Sequence, residues 1–238
     1  MSVYVYGITR SSHPGIPEKL GGVGDPPREV RAVASGKLVA LVSEAPEDLK
    51  PKRRDLLAHQ TVLSEAGAAG AVLPMRFGGV SPDEAAVVSV LSEREDHYLE
   101  RLEALDEKVE YNIKASHDEE AVLHQVLADD PELRALSEAN RNAGGGTYEQ
   151  KLALGERIVA AVKQREARDA VVVQEALQDK SVGVSPGPES SGWLANISFL
   201  VDRGAAHTFV DAVERIKELH PHLVLQVNGP LPPYSFVE

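Results

Sequence analysis

No cysteine occurs anywhere in the chain. Disulfides, thiolate nucleophiles and cysteine-rich zinc sites are therefore excluded together, which fits a reducing cytoplasm. Long apolar runs are missing too. The longest, "AGAAGAVL" at Ala66 to Leu73, falls far short of the ~20 residues a membrane helix needs. The opening "MSVYVYGITR" has no basic segment leading into an apolar run and a small-residue cleavage site, so no secretory leader is expected. Positive charge is scarce: 25 Lys and Arg against 37 Asp and Glu leave a net charge of −12. That field repels nucleic-acid phosphate over about 8 Å, one Debye length at physiological salt. The one basic cluster, "KPKRRD" at Lys50 to Asp55, is too small to reverse it and reads as the solvated start of a helix.

What remains is an ordinary globular composition, 42% hydrophobic and 26% charged, so the chain is expected to fold. A soluble cytoplasmic protein without nucleic-acid or membrane partners is expected. A length of 238 residues favours two domains.

The alternation of "SVYVYGI" (Ser2 to Ile8) predicts a strand, and the Gly- and Pro-rich stretch Ser11 to Pro27 predicts an irregular loop. "REVRAVAS" and "KLVALVSE", separated at Ser35 and Gly36, predict a hairpin. Leu56, Leu57, Val62, Leu63 and Ala66 recur at helical spacing and predict a helix on this sheet, stopping at Gly67 or Gly70. A short broken strand is expected at Ala71 to Val80. A helix over Pro82 to Lys108 follows, with Ser81 as N-cap, Pro82 in the first turn and Glu84 closing a capping box.

"KVEYNIKAS" (Lys108 to Ser116) predicts a strand, followed by two helical pieces split at Pro131, a break at Arg141 to Gly146, and a long helix from Thr147 to Asp179. Strands at "KSVGVS" and "WLANISFLVD" flank a turn at Pro186 to Gly192. A helix at Gly204 to Leu219 and a strand at Leu223 to Gly229 complete the chain. This βαββαβ order is the split pattern of a ferredoxin-like domain, here with a helical insertion. The expectation is an α+β protein with an N-terminal mixed domain (1–106) and a C-terminal modified ferredoxin-like domain (107–238).

Motifs point away from catalysis. Gly183 to Gly187 spells G-x-S-x-G, but the oxyanion hole of a hydrolase elbow needs the N–H of the residue after Ser185, and Pro186 has none. A turn is the better reading. "GGVGD" (Gly21 to Asp25) lacks the lysine and following helix of a phosphate loop. His220 and His222, flanking Pro221, read as a surface turn, and His59, His97, His117 and His124 as solvent-facing or cap positions. No catalytic residue, cofactor or metal ligand is assigned.

Two stretches stand out. In "LPMRFGG", alternation would bury Leu73, Met75 and Phe77 on one face and aim Arg76 outward. In the ending "NGPLPPYSFVE", Pro232 and Pro233 favour an extended path that presents Tyr234 and Phe236 as anchors. These are unusual groups for a chain end, which normally frays into water. Met75, Arg76, Phe77, Pro232, Pro233, Tyr234 and Phe236 are therefore candidates for partner binding or domain contact, with intramolecular packing of the tail preferred.

"YVYGI", "AHQTVL" followed by "VLPMRFGGV", "VEYNIKA" and "NGPLPPYSFV", in that order, resemble the gas vesicle protein F/L family. The chain departs from the usual pattern at Leu231 and at Tyr111-Asn112. The resemblance implies a non-enzymatic accessory protein of gas vesicle formation, located in the cytoplasm and at the vesicle. Its implied partners are the small, very hydrophobic shell protein and other gas vesicle accessory proteins. It also implies two domains, the second a modified ferredoxin-like fold. The competing classes are a purely structural minor wall component and a hydrolytic or small-molecule-binding enzyme.

Overall fold

Residues 1–17, 19–188 and 192–238 are described by a computed structural model. The fold is mixed α+β, built on two sheets. In the first sheet, β1 (Val3–Arg10) lies between β3 (Leu38–Glu44) and the short β4 (Leu73–Pro74), and β2 (Arg31–Ser35) forms the edge beyond β3. A further two-residue strand, β5 (Val80–Ser81), also pairs with β1. The hairpin between β2 and β3 turns at Gly36 and Lys37, where Gly36 takes a φ of 56° that glycine adopts without steric cost. The register of β1 against β3 shifts between Val5 and Gly7. A side chain at Gly7 would sit 2.8 Å from the carbonyl oxygen of Leu73, so glycine is what lets β4 approach.

This sheet is covered on both faces, which is why β1 is apolar almost throughout. Tyr4, Tyr6 and Leu41 pack with Val62, Leu63 and Ala66 of α1 (Arg53–Ala69). Val3, Ile8, Ala40 and Val42 pack with Val87 and Leu91 of α2 (Glu84–Glu93) and Leu102 of α3 (Glu95–Ala104). The buried stripe of α1 runs Asp55, His59, Val62, Leu63, Ala66, whereas Leu56 and Leu57 of the expected stripe are exposed. The helix expected over Pro82 to Lys108 is two helices meeting at Arg94, and its N-cap is Asp83 rather than Ser81. Asp83 is extended and its Oδ1 accepts from Ala86 N at 2.8 Å, which leaves Pro82 outside the helix.

The second sheet has the order β7 (Gly183–Pro186), β8 (Ala195–Asp202), β6 (Lys108–His117), β9 (Leu223–Leu231). Between β6 and β7 come α4 (Glu119–Asp129), α5 (Pro131–Asn142) and the long α6 (Tyr148–Gln178). Asp130 caps α5 at the expected Pro131 split. Thr147 opens α6 with a reciprocal capping box to Gln150. Helix α7 (Ala206–Leu219) joins β8 to β9 and buries Phe209, Val213 and Ile216. Part of the turn expected at Pro186 to Gly192 lies outside the described residues.

The chain divides into two compact units, one of Met1–Tyr111, Leu200–Gly204 and Gly229–Glu238, the other of Asn112–Phe199 and Ala205–Asn228. The C-terminal tail thus belongs with the N-terminal residues. No helix among the described residues is long and apolar enough to cross a membrane.

Candidate functional site

The "LPMRFGG" segment and the tail come together within the first unit, around His59. Strand β4 stops after Pro74, so the alternation expected through Phe77 does not hold. Met75 joins the cluster under α2 and α3, Phe77 joins the one under α1, and only Arg76 is exposed as expected. His59 Nε2 lies 3.0 Å from the carbonyl oxygen of Met75, which can only accept, so Nε2 carries the proton. Nδ1 then accepts from the Tyr4 hydroxyl at 2.9 Å, and that hydroxyl oxygen in turn accepts from Gly78 N at 3.2 Å.

Tyr6 stacks on the imidazole at 5.7 Å, Phe77 meets it edge-on at 5.8 Å, and Tyr234 lies tilted over it at 6.5 Å. Burial pushes the His59 pKa below its ordinary value and the Tyr4 hydroxyl well above its own. Tyr234 is pushed up to about 12, by burial first and then by the charge of Glu110.

Glu110, 3% exposed, anchors the tail. Its two carboxylate oxygens accept from the backbone N–H and the hydroxyl of Ser235, both at 2.8 Å. Arg101 Nη2 donates to the carbonyl oxygen of Phe236 at 2.6 Å. Pro232 and Pro233 are buried, and Phe236 and Val237 pack on the cluster containing Leu102 and Leu105. The apolar ending is covered by its own chain. Beside it, Gly70, Ala71, Lys108, Arg203, Pro230 and Pro232 line a groove of about 430 Å³.

A second polar cluster lies in the second unit, and sequence reading missed it. His117 at the end of β6, Asp169 on α6 and His222 just before β9 have side chains 6%, 4% and 1% exposed. Both imidazole Nε2 atoms approach the same Asp169 Oδ2, at 2.9 and 2.8 Å. Arg165, one turn earlier on α6, donates from Nε to both oxygens of Asp169 at 3.1 and 3.0 Å and from Nη1 to Asp129 at 2.8 Å. His59, His117 and His222 are therefore interior groups rather than solvent-facing ones, while His97 and His124 are exposed as expected.

Two imidazoles and a carboxylate with ligand atoms within 4.8 Å of one another are the donor types of a divalent-metal site. Arg165 weighs against that use. Its guanidinium already neutralises Asp169, and its Nη2 stands 3.2 Å from His222 Nε2, where it would repel a dication. The cluster is complete as an ion pair with two imidazole donors.

Burial pushes the Asp169 carboxyl upward, but the hydrogen bonds from His117, His222 and Arg165 outweigh it and hold the group below its ordinary value. For His222 burial dominates over the attraction of Asp169 and pushes its pKa down. The Nδ1 atoms of both histidines are buried with no partner among the described residues. Protonation would leave an unpaired N–H there, more costly than a bare lone pair, which acts in the same direction.

The remaining motif resolves plainly. Ser185 lies in β7, within the strand expected at "KSVGVS", and is followed by Pro186 with no N–H to offer an oxyanion; the strand runs through Pro186, where the turn was expected to begin.

Comparison with known proteins gives a consistent result. The family model for "Gas vesicle synthesis protein GvpL/GvpF" matches residues 2–238. The chain is 74% identical to gas vesicle protein F of Streptomyces sp. (strain CB03234) over 238 residues, covering 100% of both chains. It is 28% identical to gas vesicle protein L of the same strain over 255 aligned positions, covering 98% of this chain and 91% of that one. Among solved structures, the crystal structure of GvpF from Anabaena sp. PCC7120 aligns with a TM-score of 0.77 at 25% identity, covering 100% of this chain and 98% of the other. GvpF from Microcystis aeruginosa aligns with a TM-score of 0.74 at 25% identity, covering 100% and 99%.

Proposed function

The chain belongs to the GvpL/GvpF family of gas vesicle synthesis proteins, and from that premise we propose that it is a non-enzymatic assembly factor binding the hydrophobic shell protein early in vesicle formation. The observation that carries this reading is the family match along residues 2–238. A shell subunit prone to aggregation needs a partner that takes up its apolar surface while keeping the pair dispersed, and a net charge of −12 suits the second task. Other gas vesicle accessory proteins are further partners, and the cytoplasm and the vesicle are the places of action.

The second half of the chain, 107–238, reads as a modified ferredoxin-like domain. Its βαββαβ order and the spatial order β7-β8-β6-β9 support that description, with α4 and α5 as the insertion. Of the candidate residues, Met75, Phe77, Pro232, Pro233, Tyr234 and Phe236 hold the first unit together, and Arg76 is the exposed one open to a partner.

Co-expression with the shell protein followed by affinity capture tests the reading. A co-purifying complex supports it, and clean separation of the two proteins refutes it. The second reading, a minor wall component, predicts a fixed ratio of this chain to shell protein in washed vesicles. An assembly factor is instead depleted by washing.

A further inference from the structure

Strand edges are templates for unwanted pairing, and folded proteins blunt them with short length, proline or charge. Among the described residues, edge strands β2, β4 and β7 are blunted in those ways. Strand β2 is five residues long and begins with Arg31, paired to Glu84; β4 has two residues and ends in Pro74; β7 has four and ends in Pro186. Strand β9 differs. It is nine residues long, and its stretch Leu223 to Asn228, within the second unit, contains no charge, proline or glycine. Among the described residues no strand pairs with its outer side. Leu223 and Leu225 are buried and hold the strand in place, while Val224 is 44% exposed and Gln226 and Asn228 are exposed.

We propose that the outer edge of β9 over Leu223 to Asn228 is the docking surface for the shell protein, which adds an extended apolar segment there as a further strand. This rests on the assembly reading above. Charge selects the occupant. A second copy of this chain would bring two bodies of −12 together, a repulsion acting over about 8 Å at physiological salt, whereas an uncharged apolar segment meets none on an uncharged strand. In strand addition, main-chain hydrogen bonds supply affinity and alternate side chains supply selection. Here the exposed alternate positions are one valine and two carboxamides. While paired, the added segment is withheld from copies of itself and tethered to an acidic, dispersing body.

The test is affinity capture of co-expressed shell protein by three forms of the full chain. These are the parent, the double variant Val224→Lys/Gln226→Lys, and the neutral control Val224→Thr/Gln226→Thr. Gln226→Lys alone, at an exposed side chain, gives the same readout should the double variant fold poorly. Charge on the edge is expected to lower captured shell protein about tenfold, with the threonine control unchanged. Equal capture by the parent and the lysine variants overturns the edge assignment and leaves the assembly reading standing. Absence of capture by the parent overturns both. Self-association of the parent that the lysines abolish, with shell capture intact, makes a second copy the occupant and also overturns the proposal.

Discussion

Three buried side chains couple folding to acid. In the unfolded chain His59 and His222 take up a proton near their ordinary value of 6.5, whereas the folded chain pushes both below it. Each therefore contributes stability that is fully present above about pH 6.5 and withdrawn as pH falls below it. Asp169 adds a second loss further down. Its folded-state pKa is below the ordinary 3.8, so its contribution is present above that value and disappears as pH falls through the carboxylate range. Thermal unfolding followed between about pH 7.5 and pH 5 should show a falling melting temperature. Replacing His222 by glutamine should flatten the slope, and a pH-independent melting temperature would contradict the account. Little of this was legible in the sequence. Tyr4 and His59 are 55 positions apart, and Asp169 lies 52 and 53 positions from its two imidazoles, so no local spacing announces either cluster. The one visible hint was the histidine pair around Pro221.

At the scale of elements, periodicity served well where strands and helices are long, as in β1, β6, β8, α6 and α7. It failed where an element is short or a better cap competes. The alternation of "LPMRFGG" looks like a strand through Phe77, yet pairing with β1 ends at Pro74 and the positive φ of Gly78 redirects the chain. At α2, Ser81 and Pro82 formed a plausible start, but Asp83 accepts the N-terminal hydrogen bond. Asp83→Ala should destabilise the first unit by about 1 kcal/mol and Ser81→Ala by less than about 0.5 kcal/mol, as read by chemical denaturation. The tail is the larger element effect. Truncation after Gly229 removes two half-buried aromatics, about 1–2 kcal/mol each, and leaves the Glu110 carboxylate buried without its donors, about 1–3 kcal/mol more. The first unit should therefore lose about 3–7 kcal/mol. Unchanged stability of the truncated chain would assign the tail to docking instead of packing.

For the whole molecule, composition and family membership are compatible. The chain has no cysteine and a net charge of −12, and among the described residues the clusters around Asp169 and Glu110 are engaged in internal hydrogen bonds and ion pairs. That agrees with membership of a family of gas vesicle synthesis proteins. The family was legible in the sequence because its scattered signatures, "LPMRFGG" and "PLPPYSF" above all, fall on residues the fold uses to close the first unit around His59. The docking surface was not legible, because an uncharged strand edge becomes conspicuous only once the strand order is known. Deleting this gene from a host that otherwise carries a complete gas vesicle gene set, and counting vesicles by electron microscopy, tests the central claim most directly. Loss of vesicles, restored by the full-length gene, is the predicted result. Vesicles of normal number and form in the deletion strain would contradict it.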